Sequence, residues 1–268
     1  MTAEAHQHAL YYNDDLVTNL QLRWGDGFLS PGGADELARM FRGIDVTGQA
    51  GLDVGCGVGG YDLVLVTDLG AERVVGVDLG PAVVAEAAGR ARSAGLGDRL
   101  LFRTVEPGPL PFDDATFDFV FSKDTIADVP LADKPAMFAE MFRVCRPGGH
   151  LVVSDWFRDE APYTEEMRAW ATEGDETYEM DTLAGAGRYA TDAGFSDVEL
   201  DDRNDWFRQY AREEYERLKG PLFAEYSRRF GAAAARTSVE NARVRALLAE
   251  QGQLRPGHVR ARRPRDSD

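Results

Sequence analysis

The 268-residue sequence is poor in the residues that would tie it to disulfide, metal or membrane chemistry. Its two cysteines, Cys56 and Cys145, lie far apart in no CxxC pattern, which excludes a disulfide scaffold and suits a reducing compartment. Among its four histidines, His6 and His8 are spaced i, i+2 without clustered partners, so no zinc or magnesium requirement is expected. No stretch approaches the roughly 18 consecutive apolar residues of a membrane span, and the N-terminus has no basic segment followed by an apolar run. The cytoplasm is therefore the default location. Positive charge is short as well: 30 Lys and Arg against 46 Asp and Glu give a formal charge of −16. That balance works against nucleic acid, whose backbone binds mainly through Lys and Arg. It favours cations and neutral or zwitterionic small molecules instead. The arginines of VRARRPR, residues 259–265, read as a polar strand or tail.

What remains is an ordinary soluble composition, 44% hydrophobic and 28% charged, long enough to bury a sizeable core without staples. Residues 1–47 are polar and helical in pattern. From residue 48 the rhythm alternates. A short apolar run at 50–54 meets GCGVGG (55–60), and a helix follows through 61–70. Further strands are expected near 72–80, 99–105, 117–124 and 150–156, with helices through 81–95 and 134–145 and a turn at RPGG, 146–149. Five strands separated by helices predict a parallel sheet covered on both faces. A sixth strand is expected at 196–202, then two amphipathic helices at about 206–230 and 237–251, and a last strand near 257–263. The helices form an insertion of about 204–252 between the last two strands.

The informative constellation is LDVGCGVGG, residues 52–60, with VVGVDLG, residues 74–80. Glycines at 55, 57 and 59 allow close backbone approach to a ligand, and the next helix presents free N–H groups at its positive end. Asp78 follows Gly59 by 19 residues at a strand end, where a carboxylate accepts hydrogen bonds from two ribose hydroxyls. A nucleoside site at the carboxyl edge of the sheet is expected. Gly55, Gly57 and Gly60 also satisfy GxGxxG, so an NAD-dependent oxidoreductase is an alternative. Against it stand Asp53 just before the turn, the lack of a second mononucleotide-binding half, and SKD (122–124) at the end of the fourth strand.

In these motifs the chain resembles the class I S-adenosyl-L-methionine-dependent methyltransferases, and RPGG before the fifth strand fits their pattern. The resemblance implies a Rossmann-like α/β fold with a seven-stranded, mostly parallel sheet. It implies S-adenosyl-L-methionine as methyl donor, with Asp53, Gly55 and Gly57 around its methionine part, Asp78 on the ribose, Leu79 on the adenine face, and Val105 and Glu106 at the adenine edge. YYNDDLVTNLQLRWGDGFLSPGG (11–33), SKDTIADVP (122–130) and VSDW (153–156) further resemble the phosphoethanolamine N-methyltransferase group.

That second resemblance implies residues 1–47 as a helical lid, Tyr12, Asp124 and Asp128 as catalytic residues, Ser30 and Lys123 as cofactor contacts, and Trp156, Glu176 and Tyr178 as substrate contacts. Asp128 stands where the group has a histidine partner for its tyrosine, Leu20 replaces a phosphate-contacting tyrosine, and Glu176 falls near a phosphate-binding arginine. A carboxylate there repels phosphate. The expected activity is methyl transfer to the nitrogen of a small amine or zwitterion. The alternatives are sulfur methylation of a thioether amino acid such as methionine and a cofactor-binding module without turnover. Trp24 and Trp170 read as core residues.

Overall fold

The computed structural model describes residues 12–172 and 178–265. Seven strands form one sheet: β1 (Ala50–Val54), β2 (Arg73–Asp78), β3 (Leu100–Thr104), β4 (Phe117–Lys123), β5 (Cys145–Arg158), β6 (Ser196–Asp202) and β7 (Leu254–Arg262). Their spatial order is β3-β2-β1-β4-β5-β7-β6. β1 to β5 pair in parallel, and β7 inserts antiparallel between β5 and β6. This is the expected α/β, Rossmann-like, mostly parallel sheet. It differs from the 3-2-1-4-5-6 order of a dinucleotide-binding sheet.

The central strands are apolar runs because both sheet faces are covered. Leu52, Val54 and Val120 pack on one face with Phe138 and Met141 of α5 (Lys134–Val144) and Ala186 and Ala190 of α7 (Leu183–Ala193). Phe119, Phe121 and Val152 pack on the other with Leu37 and Met40 of α2 (Gly33–Met40) and Leu65 of α3 (Gly60–Thr67). α4 (Pro81–Ser93) opens with proline at its first turn, where a missing N–H has no consequence. No helix among the described residues is long and apolar enough to cross a membrane.

Two local expectations are corrected. RPGG is a bulge inside a long β5 rather than a turn before it: Cys145 pairs with Phe117, the register then shifts, and His150 pairs with Phe119. A Cβ on Gly149 would lie 2.5 Å from the Asp118 carbonyl, so the strands close up only because glycine stands there. The insertion between β6 and β7 has three helices, not two: α8 (Asn204–Lys219), α9 (Phe223–Phe230) and α10 (Ala232–Glu250). α8 stops at Gly220 before Pro221, which has no N–H to continue the ladder, and Gly231, at φ 88°, separates α9 from α10.

α1 (Asp14–Trp24) and α2 are tied to this body by ion pairs. Glu36 of α2 is buried, accepts two hydrogen bonds from Arg203 at 2.8 and 2.9 Å, and lies 2.9 Å from His258 Nε2 on β7. Arg39 donates to Asp201 on β6. The arginines of β7 serve the fold: Arg260 pairs with Glu199, and Arg263 donates to the carbonyls of Phe142, Arg143 and Cys145 at the end of α5.

Burial alone would raise the Glu36 carboxyl, but the Arg203 and His258 hydrogen bonds overcome it and hold it at about 2. A value depressed on folding stabilises the protein above the ordinary carboxylate range, and that stability is lost as pH falls toward 2. The shift corresponds to about 3 kcal/mol. Unfolding free energies measured from pH 7 down to 2 should show this loss, and Glu36→Gln should lower stability at pH 7 while flattening the acid limb.

Candidate active site

The sheet order reverses between β1 and β4, so the loops leaving their carboxyl ends diverge and open a crevice. The β1 side is the glycine turn. Gly55, Gly57 and Gly59 have φ of 86°, 50° and 77°, a region that side chains disfavour. Asp78, at the end of β2, holds this turn: its Oδ2 accepts from Gly57 N and its Oδ1 from Gly80 N, both at 2.9 Å. Val105 N donates to the Asp78 carbonyl at 3.0 Å, which brings Val105 beside it at the end of β3. Leu79 and Val105 are half-buried and Glu106 is exposed. The expected nucleoside residues thus lie on one edge.

Asp53 is placed differently from the rest. Its side chain is buried within β1 against Asp62 of α3, and burial, then the Asp62 charge, push its carboxyl well up. Asp62 is likewise raised, by burial first. As two carboxylates, Asp53 Oδ1 and both Asp62 oxygens lack partners among the described residues. With one proton shared, each carboxyl bonds to the other.

The β4 side carries Lys123, Asp124 and Asp128. Lys123 Nζ lies 2.7 Å from Asp124 Oδ2, with both side chains nearly inaccessible, and 5.3 Å from the Tyr61 ring centroid. Burial alone would depress this ammonium, but Asp124 raises it and keeps it charged. Tyr61 OH in turn contacts Ser30 Oγ and carbonyl at 3.1 and 3.2 Å, so Ser30 reaches the site through Tyr61. Asp124 has φ 54°, an uncommon conformation for a residue with a side chain. Asp128 closes a short 3₁₀ turn, Ile126–Asp128.

The two sides touch where Gly55 meets Thr125. Thr125 Oγ1 donates to the Gly55 carbonyl at 3.4 Å, and a Cβ on Gly55 would lie 2.0 Å from that oxygen. Gly60 is equally confined, because its Cβ would fall 2.0 Å from the Gly27 carbonyl, so the loop after α1 lies directly on the glycine turn. Tyr12 and Leu29 pack with Val17, Val58 and Val83, which sets Tyr12 against that same turn.

Trp156 and Tyr178 join one aromatic cluster beside Ala127. Trp156 meets Phe207 edge-on at 4.8 Å, and Tyr178 stacks on Trp170 at 5.4 Å. Trp170 is a core partner, as read from the sequence. Trp24 donates from Nε1 to Glu214 at 3.1 Å and lies over Arg23 and Arg245, joining α1 to the insertion. Glu176 lies outside the described residues.

Three residues absent from the sequence-based list matter here. Asp155, 1% exposed, accepts from the backbone N–H groups of Thr125, Ile126, Ala127 and Trp156. Lys134, 2% exposed, donates to the Ile126 carbonyl. Tyr61 links Ser30 to Lys123. A lysine opening a helix, against the sign of the dipole, was the one local signal of these roles. Among the described residues, no group of three or more His, Cys, Asp or Glu is placed to hold a metal ion.

The Asp78 carboxylate oxygens keep lone pairs beyond the two backbone N–H groups they accept from, and the glycine turn puts no side chain in front of them. Gly55→Ala should lower stability by about 1–3 kcal/mol in denaturant titration by forcing Thr125 away. Gly43→Ala, equally left-handed at φ 83° but with nothing within 4 Å of its Cβ, should lose only about 1 kcal/mol of backbone strain.

Residues 52–153 match a family described as a methyltransferase domain. The chain is 31% identical over 209 residues to phosphoethanolamine N-methyltransferase 1 of Arabidopsis thaliana, covering 78% of this chain and 41% of that protein. It is 32% identical over 220 residues to phosphoethanolamine N-methyltransferase 1 of Triticum aestivum, covering 81% and 43%. The chain therefore spans less than half the length of these relatives. A structure of Haemonchus contortus phosphoethanolamine N-methyltransferase 2, in complex with phosphomonomethylethanolamine and S-adenosylhomocysteine, has the same fold, with a TM-score of 0.87 at 23% identity over 95% of this chain and 59% of that one. By these likenesses the chain carries a methyltransferase domain and the fold of the class I S-adenosyl-L-methionine-dependent methyltransferases, and it resembles the phosphoethanolamine N-methyltransferase group.

Proposed function

We propose that the chain methylates the nitrogen of a small, phosphate-free amine or zwitterion in the crevice between the β1 and β4 loops. The observation that carries this reading is that the buried Lys123 ammonium is already paired with Asp124 at 2.7 Å, while Asp128 follows on the same loop beside the aromatic cluster of Trp156 and Tyr178. S-adenosyl-L-methionine supplies a methyl group on a sulfonium, open to in-line attack. Asp78 would accept hydrogen bonds from its ribose, Leu79, Val105 and Glu106 would meet its adenine, and Gly55 and Gly57 would pass its methionine part, with Ser30 and Lys123 behind. Asp53 would contribute charge rather than contact, through its pair with Asp62.

An amine acceptor reaches the protein protonated and must lose that proton before attack. Asp124, or Tyr12 hydrogen-bonded to Asp128, would take it. A thioether needs no such acceptor and would leave these carboxylates without a task, so nitrogen is favoured over sulfur. Leu20 of α1 offers phosphate no hydrogen bond, and the Lys123 ammonium is engaged by Asp124, so an anionic acceptor gains little. A methylated ammonium product would rest against Trp156 and Tyr178, each aromatic face contributing roughly 0.5–2 kcal/mol. α1 and the loop after it, lying on the glycine turn, would act as the lid.

A panel of amines with and without phosphate, amino acids and thioethers, incubated with the cofactor and read by mass spectrometry, should show a methyl gain on phosphate-free amines. A gain confined to a thioether or a phosphorylated amine would overturn the substrate reading. In calorimetry, Asp78→Ala should weaken S-adenosyl-L-methionine binding at least about tenfold. Tyr12→Phe should lower turnover by about a hundredfold while leaving that binding intact.

A further inference from the structure

We propose that Asp155 and Lys134 clamp the loop after β4 from its two polar sides and so act as positioning residues for Asp124 and Asp128; the proposal rests on the reading of the site given above. The loop needs such a device. Asp124 occupies a left-handed conformation at φ 54°, which a residue with a side chain holds only where its surroundings impose it. Its own N–H is bonded to the Ser154 carbonyl at 2.8 Å. The three N–H groups that follow, of Thr125, Ile126 and Ala127, all point at the Asp155 carboxylate, two of them at 3.2 Å. Asp155 also accepts from Trp156 N at 2.7 Å, which fixes the carboxylate to β5.

The carbonyl side of the same turn is held by Lys134, whose Nζ donates to the Ile126 oxygen. One backbone segment therefore lies between a buried carboxylate on its N–H face and a buried ammonium on its C=O face. Both groups sit in the interior, where an ion unpartnered by charge and hydrogen bonds is strongly disfavoured: burial, then the Asp124 charge, push the Asp155 carboxyl up to about 7, against the Trp156 N–H, the Lys134 ammonium and the Ile126 N–H, which lower it. The backbone between them supplies the missing hydrogen bonds, so releasing the loop strands both charges. Burial lowers the Lys134 ammonium, opposed first by Asp155 and then by Asp128. The effect of Asp155 and Lys134 is to hold the backbone from which Asp124 and Asp128 extend.

The test uses the full chain and two variants. Asp155→Asn keeps the shape but turns an N–H toward the loop's own N–H groups, and Lys134→Met keeps the length and removes the donor. Hydrogen exchange read by mass spectrometry should quicken about tenfold or more in peptides covering residues 124–129 in both variants, while peptides covering the glycine turn stay unchanged. Turnover of the amine found in the panel should fall about tenfold or more in kcat, with S-adenosylhomocysteine affinity held within about threefold, and Lys134→Arg should recover most of the loss. Unchanged exchange in the loop, or faster exchange with kcat intact, overturns the clamp. So does a parallel fall in kcat and S-adenosylhomocysteine affinity, which marks general loosening. Exchange needs no substrate, so a wild-type chain that methylates no amine overturns the functional reading alone, and the exchange rates still decide the clamp.

Discussion

The approach of Gly55 to Thr125 is the contact on which the site depends. A parallel sheet opens at the point where successive connections turn to opposite sides, and here that point lies between β1 and β4. Two loops leaving such a point would drift apart. A missing side chain at Gly55 lets the Thr125 hydroxyl reach across to the Gly55 carbonyl, so the turn facing Asp78 and the loop bearing Asp124 become walls of one crevice.

The N-terminal segment docks through buried charge as well as through the apolar face of α2. Arg90 of α4 holds Asp26 and Gln21, Glu36 is shared by Arg203 and His258, and Glu214 of α8 gathers Arg23, Arg245 and the Trp24 indole. The buried pairs at Glu36 and Glu214 return little net stability, because desolvation offsets the attraction. Breaking one is expensive, since it leaves a charge in the interior. The segment is thereby held to a single docking, and the backbone fit of Gly27 on Gly60 sets how close that docking is.

Much of this organisation was legible in the sequence, and the parts that were not share a cause. Strands β1, β2 and β4 announced themselves because a strand buried on both faces must be an apolar run. The antiparallel entry of β7 between β5 and β6 left no local trace, since pairing partners lie dozens of residues apart. The insertion read as two helices because the amphipathic period runs on across Gly220 and Pro221; only the backbone break divides it. In the site, the glycine turn, Asp78 and the Lys123–Asp124 step could be read locally. Asp62 and Asp155 could not, because each acts on a distant element: Asp62 on a strand behind it, Asp155 on the loop of a neighbouring strand. Asp53 was read as facing ligand from its place before the turn, yet the alternation along β1 buries its side chain against α3.

The acid excess of the chain acquires a limit from the same geometry. On the proposed reading, carboxylates near the acceptor ease loss of a proton from an incoming ammonium only to the extent that they do not hold that ammonium too tightly. A methylated product, still cationic, would be retained by the same field. Lys123 tempers it by pairing with Asp124 in a site nearly closed to water, where screening is weak and each charge counts for more. Lys134 tempers it again from behind the 3₁₀ turn. The aromatic faces of Trp156 and Tyr178 attract a cation with less force than a carboxylate and without competing for its proton. An acceptor site built this way takes a proton and then lets a cation go, which a site lined by unpaired acids would not do.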